Sequence, residues 1–167
     1  EDIRKEADKF YNEELDVDGS LFLYHDVPTN GIGYLDLMFD LKSLSPDKVL
    51  YLGLLKSVLG YVNTAHYTYG ELSNEINAET GGIVCGVEVF DRADSVDEYR
   101  AFFGVKGKVM YPKTDVMFRM IREILNTSDV TDTRRLHEII SRVKSRAQSS
   151  LVSAGHSTAV LRAASYG

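Results

Sequence analysis

Tryptophan is absent, cysteine occurs once, and proline only three times in 167 residues. With Cys85 alone there is no internal disulfide, no zinc knuckle and no redox pair. The position of Cys85 in an alternating apolar run reads as a buried, unreactive thiol. No apolar run approaches the roughly eighteen residues of a membrane span, so no membrane partner is expected. Basic charge is also in deficit: 25 Asp and Glu against 19 Lys and Arg give a net charge of −6 and a pI near 5.2. That balance excludes general nucleic-acid binding, which needs a basic surface to neutralise phosphates.

What is present suits one folded domain. Apolar residues make up 44% of the chain, enough for a true core at this length, and 26% charged residues fit a globular rather than a disordered chain. The charge is uneven. From Thr131 onward, Arg134, Arg135, Arg142, Lys144, Arg146 and Arg162 face only Asp132 and Glu138, a local +4 that leaves −10 for the remainder. Such a basic face reads as a solvated helix surface or an intramolecular contact.

The organising stretch spans residues 31–86. Its first part alternates, with Leu35, Leu37, Phe39 and Leu41 on one face and Tyr34, Asp36, Met38 and Asp40 on the other, a half-buried strand. Ser45-Pro46-Asp47 then supplies a helix start: a capping residue, a proline in the first turn and an acid at the positive end of the dipole. The helix of residues 45–62 carries Val49, Leu50, Leu52, Leu54, Leu55, Val58, Leu59 and Val62 over most of its circumference, which predicts burial between other elements. Thr68 and Glu71 have capping-box spacing and open a second helix with a Leu72/Ile76 stripe, closed by Gly81-Gly82. Ile83, Cys85, Val87 and Val89 alternate again. So do Phe103, Val105, Gly107 and Val109, which predicts an antiparallel partner strand.

Outside that stretch, residues 2–15 have Ile3, Ala7, Phe10, Tyr11 and Leu15 near helical spacing and read as a short amphipathic helix or linker. Residues 16–20 read as a turn and 21–24 as a short strand. Residues 91–98 form an acidic connection too polar to bury, and they lack the residue order and central glycine of a calcium loop. Pro112 opens a helix with a Val116, Met117, Met120, Ile121, Ile124 stripe. A last helix over residues 131–151 is expected to bury Leu136, Ile140, Val143, Ala147 and Leu151, and residues 159–164 resume it after a break at Ser153-Ala154-Gly155-His156. The expected fold class is α+β, an antiparallel-dominated sheet covered by helices on one face, with residues 1–19 as a linker helix and 20–167 as a single domain.

Chemistry-bearing patterns are missing. His25, His66, His137 and His156 have no second histidine three to five residues away, and no H-x-x-E-H or H-E-x-x-H places two ligands on one helical face. There is no G-x-S-x-G, P-loop or G-x-G-x-x-G, and Gly31-Ile32-Gly33 precedes a strand instead of opening a helix. Tyr61, Tyr67 and Tyr69 cluster near a helix–helix junction, where packing at a layer edge is the expected role. No catalytic, cofactor-binding or metal-ligating residue is assigned.

The ordered set of strand, long helix, Asn63-Thr64, Glu71-Leu72 with Glu75-Ile76, and Gly81-Gly82 before a strand resembles the catalytic-domain layout of the insulinase-like (pitrilysin-type) zinc peptidases. Pro28-Thr29-Asn30-Gly31, Thr80-Gly81-Gly82 and Gly155-His156 followed by Ala159 and Arg162 are similar to the third domain of the presequence-protease branch. Setting Asn63-Thr64 on that family's Gly-Thr puts Leu54, Ser57 and Val58 where the metal motif has His, Glu and His.

The resemblance implies a noncatalytic domain from the C-terminal half of a metalloendopeptidase that encloses peptides in a chamber. The cofactor, zinc, would sit in the N-terminal domain of the longer chain and not in this piece. Partners would be the other domains of the same polypeptide and, through the whole enzyme, peptide substrates. His156 and Arg162 would have a structural role at a domain junction. Both ends of the chain read as cut from something longer. With no secretory pattern at residues 1–4, a cytoplasmic location is expected. The alternative expectation is a self-standing, ligandless binding or assembly module.

Overall fold

The computed structural model describes residues 11–91, 95 and 98–165. They form two compact units, Glu1–Ile32 and Gly33–Gly167.

In the first unit, β1 (Tyr11–Val17) and β2 (Ser20–Asp26) form an antiparallel hairpin in which Tyr11 faces Asp26 and Val17 faces Ser20. The helix or linker expected for residues 2–15 is corrected here: residues 11–15 are strand, and residues 2–10 lie outside the described residues. The cause is the two-residue turn Asp18-Gly19, with φ of 51° and 78°. Positive φ at both positions matches the right-handed twist of flanking strands and fixes a hairpin register. Asp16 adds a carboxylate oxygen that accepts from the Gly19 N–H at 2.9 Å. The strand expected at 21–24 is present within β2.

The second unit is built on a three-stranded sheet with β5 (Tyr99–Met110) between β3 (Ile32–Asp40) and β4 (Ile83–Asp91). β4 and β5 run antiparallel as expected, with Ile83 opposite Gly107 and Val89 opposite Ala101. The acidic connection between them lies mostly outside the described residues. One face of the sheet presents Phe103, Val105 and Val109, all buried, with Leu35, Leu37, Leu41, Ile83 and Cys85 beside them. On the other face Lys106 of β5 reaches Glu88 of β4 at 2.6 Å and Asp36 of β3 at 3.6 Å. A sheet with one apolar and one ion-paired face is covered on one side only. The chain is therefore α+β, with antiparallel pairing and helices on a single face.

Five helices follow the expected order: α1 (Pro46–Val58), α2 (Tyr69–Glu79), α3 (Thr114–Thr127), α4 (Thr133–Ser153) and α5 (Gly155–Ala164), with a 3-10 turn Tyr111–Lys113 ahead of α3. The capping box of α2 is complete. The Glu71 N–H donates to the Thr68 hydroxyl at 3.3 Å, and the Thr68 N–H donates to the Glu71 carboxylate at 2.9 Å. That backbone bond holds the Glu71 carboxyl below its ordinary range. At the other end Gly82 takes φ of +112°, and the Gly81 N–H donates to the Lys108 carbonyl, clipping the helix end to β5. The α3 stripe is buried through Met117, Met120, Ile121 and Ile124 against α2 and the sheet.

Two burial expectations are corrected. Within α1 only Leu52 and Val58 are buried, while Leu50 is 83% exposed and Val49, Tyr51, Leu54 and Leu55 are also exposed. The helix packs on β4 and α4 along one side, and its opposite apolar side has no cover among the described residues of this unit. It ends at Val58, because Gly60 with φ of +82° turns the chain. In α4 the buried stripe is Ile139 with Leu136 and Val143, which pack on Val58 and Val62. Ile140, Ala147 and Leu151 are exposed, so of the expected stripe only Leu136 and Val143 face inward, with Ile139 in place of Ile140. Beyond Val143 the apolar side chains of α4 and α5, including Leu151, Val152, Val160 and Leu161, are exposed.

Candidate functional site

The first candidate for chemistry is the stretch of α1 that the sequence resemblance sets against a metal-binding helix. Leu54 is exposed hydrocarbon, and Val58 is buried in the α1–α4 contact. Between them Ser57 turns its hydroxyl back on its own helix and donates to the Gly53 carbonyl at 3.1 Å. None of the three side chains offers a nitrogen or carboxylate to a divalent metal, so these residues do not fit zinc.

The histidines do not gather. On β2, the His25 ring is hydrogen-bonded to the Asn12 side chain of β1. His137 lies exposed on α4 and His156 exposed on α5. Among the described residues no group of three or more His, Cys, Asp or Glu side chains comes together as a metal site requires. Burial pushes the Cys85 thiol up from its ordinary value, which disfavours the thiolate.

What the structure does assemble is a polar tie at the α1–α2 junction. Glu123 of α3 is buried, and its carboxylate accepts from the backbone N–H of His66 at 3.1 Å and lies 3.0 Å from the His66 ring Nδ1. Burial opposes its charge. Hydrogen bonding from Thr64, His66 and Thr127 outweighs that cost and holds the carboxyl at about 2. Alongside it, the Asp129 N–H donates to the Asn63 carbonyl at 2.7 Å, and the Asn63 side chain accepts from the Tyr69 N–H at 2.9 Å. Asn63 and Thr64, singled out by the sequence, therefore serve to fasten the α1–α2 connection to α3.

The tyrosines complete the same junction. Arg135 of α4 lies with its guanidinium 3.8 Å from the centre of the Tyr69 ring and donates through Nε to the Tyr61 carbonyl at 2.9 Å. Tyr67 packs against the main core. These are packing and positioning contacts. The sequence located the cluster but missed Glu123 and Arg135, whose partners lie 57 and 74 residues away and leave no signature in spacing.

Comparison with known proteins agrees with this architecture. The family described as Peptidase M 16C associated matches residues 1–167. Protein HypA of Clostridium perfringens is 36% identical over 166 residues, covering 99% of this chain and 17% of that protein. The chloroplastic/mitochondrial presequence protease 1 of Arabidopsis thaliana is 30% identical over 164 residues, 96% of this chain and 15% of the relative. The mitochondrial presequence protease of Yarrowia lipolytica is 30% identical over 138 residues, 83% of this chain and 14% of the relative. The chain thus spans about one-sixth of the length of these relatives. On the match across its whole length, this chain belongs to that peptidase-associated family, in the presequence-protease branch of the insulinase-like peptidases.

Proposed function

We propose that this chain is a noncatalytic domain of a zinc-dependent endopeptidase, forming part of the wall that encloses peptide substrates and seating against the other domains of the same polypeptide. The observation that carries this reading is α1: a helix packed on its sheet with Leu54, Ser57 and Val58, the residues that the resemblance sets against the metal motif, none of them able to bind a metal. A helix without ligands keeps its packing role and gives up its chemistry.

Exposed hydrocarbon supports the second half of the reading. Leu50 and Tyr51 on α1, and Val152, Val160 and Leu161 on α4 and α5, offer apolar surface of the kind that interfaces cover. Zinc, in this reading, is held by a domain that precedes the present one, and the enzyme acts in the cytoplasm.

Metal analysis and peptide cleavage assays on the purified 167-residue chain test the noncatalytic assignment. The expected result is no stoichiometric zinc and no cleavage. One zinc per chain, lost on histidine substitution, would overturn it. Seating is tested in the longer protein with Leu161→Asp. Expected is a large loss of peptide turnover with zinc content retained, whereas unchanged turnover counts against an interface there.

A further inference from the structure

A cavity of about 280 Å³ lies where α1, β4 and α4 meet, and its charge is one-sided. Lys56 of α1 and Arg142 and Arg146 of α4 line it, and Asp and Glu are missing from its lining, in a chain whose acids outnumber its bases 25 to 19. Arg142 and Arg146 stand one helical turn apart, a spacing at which like charges repel. Among the described residues none of the three cations has an ion-pair partner. The arginines Arg119, Arg134 and Arg135, by contrast, each have a glutamate within reach. The rest of the lining is mixed: buried Ile139, half-buried Val143 and half-buried Cys85, with the hydroxyl-bearing Ser57 and Tyr61. An adjoining cavity, lined by Leu59, Ile76 and Ile124 among others, contains no charged residue, so the cations are segregated to one of two neighbouring hollows.

We propose that the cavity between α1, β4 and α4 binds a small multivalent oxyanion, a carboxylate or phosphate compound held by Lys56, Arg142 and Arg146. Two guanidinium forks match the paired oxygens of either group, and an ammonium adds a compact third charge. Size restricts the ligand: the cavity falls at or below the lower end of the roughly 300–1,000 Å³ typical of ligand pockets, which suits an anion of citrate or pyrophosphate dimensions. A nucleic acid is disfavoured by the −10 carried by the remainder of the chain. The site does not depend on the wall role, because its residues and its chemistry lie wholly within this unit.

Calorimetric titration of the chain with citrate and, separately, with pyrophosphate tests the site. Expected is one equivalent bound, with affinity that weakens as salt rises. Arg142→Ala with Arg146→Ala should weaken it by at least about tenfold, and Lys56→Gln, on a different helix, should weaken it independently. Lys144→Ala, on α4 but outside the cavity lining, should leave it unchanged, and the helical circular dichroism and melting temperature of all variants should match the parent. Tighter binding of citrate assigns a carboxylate ligand; tighter binding of pyrophosphate assigns a phosphate. Absence of saturable binding with both probes would overturn the proposal. So would full affinity in the double arginine variant, or an equal loss in Lys144→Ala.

Discussion

The centre of the second unit and its far arm have similar apolar content and opposite surroundings. Around β5, the side chains of Leu72, Val105, Met117 and Met120 are wholly enclosed by α2, α3 and the sheet. Along the last turns of α4 and the whole of α5, Val152 is 89% and Leu161 73% exposed. Both regions carry large aliphatic side chains, so hydrophobicity alone does not separate a core from an interface. The enclosed region supplies its own cover and folds as a unit. The arm leaves its apolar side chains exposed.

Substitutions sharpen that contrast. The largest effect is expected from Met120→Ala, which removes a fully enclosed side chain and leaves a cavity, at a cost of about 2–5 kcal/mol. Its counterpart Val152→Ala should stay within about 0.5 kcal/mol. Urea unfolding of the two variants measures both, and similar losses would erase the distinction between core and arm.

Next comes Glu123→Gln, expected to lose about 1.5–3 kcal/mol near neutral pH, because charge-assisted hydrogen bonds at a buried carboxylate are replaced by weaker ones. The folded-state value of about 2 lies below the ordinary 4.5. Its stabilisation is therefore complete above about 4.5 and fades as pH falls toward 2. Parent and variant stabilities should converge over that acid window when denaturation is followed as a function of pH. A gap that stays constant down to the bottom of the window would remove Glu123 as its source.

A smaller loss, about 1–2 kcal/mol, is expected for Arg135→Ala, which strips the cation from the Tyr69 ring and frees the Tyr61 carbonyl. Arg135→Lys should recover little of it, since an ammonium cannot lie flat on the ring while bonding that carbonyl. Thr68→Ala should lose about 1 kcal/mol through the α2 cap. Thermal unfolding ranks these variants, and Thr68→Ala exceeding Arg135→Ala would shift the weight of the junction from packing to capping.

Elements set by local rules are legible in the sequence. The Thr68–Glu71 box, the Gly81-Gly82 stop and the alternation of β3, β4 and β5 each depend on residues a few positions apart. The Met/Ile stripe of α3 likewise marks its buried side correctly. What was illegible depended on partners. The wide apolar surface of α1 reads as full burial, yet periodicity cannot say whether the cover is in the same unit. The β1–β2 hairpin was hidden by apolar residues near helical spacing (Ile3, Ala7, Phe10, Tyr11, Leu15) in a charged segment, although Asp18-Gly19 is a strong hairpin signal. In α4, Leu136 and Val143 fit a stripe through either Ile139 or Ile140, and contact with Val58 and Val62 selects Ile139. The unpaired cations of the α1–α4 cavity come from two helices, and only their packing brings them to one hollow.

The Glu123–His66 tie also bears on the order of events during synthesis. The bend between α1 and α2 leaves the ribosome early, yet the carboxylate that fastens it arrives 57 residues later, after two further strands. Closing so long a loop is slow relative to forming either helix. The bend therefore stays unlatched until α3 emerges and docks, and the angle between the two helices it joins is fixed only then.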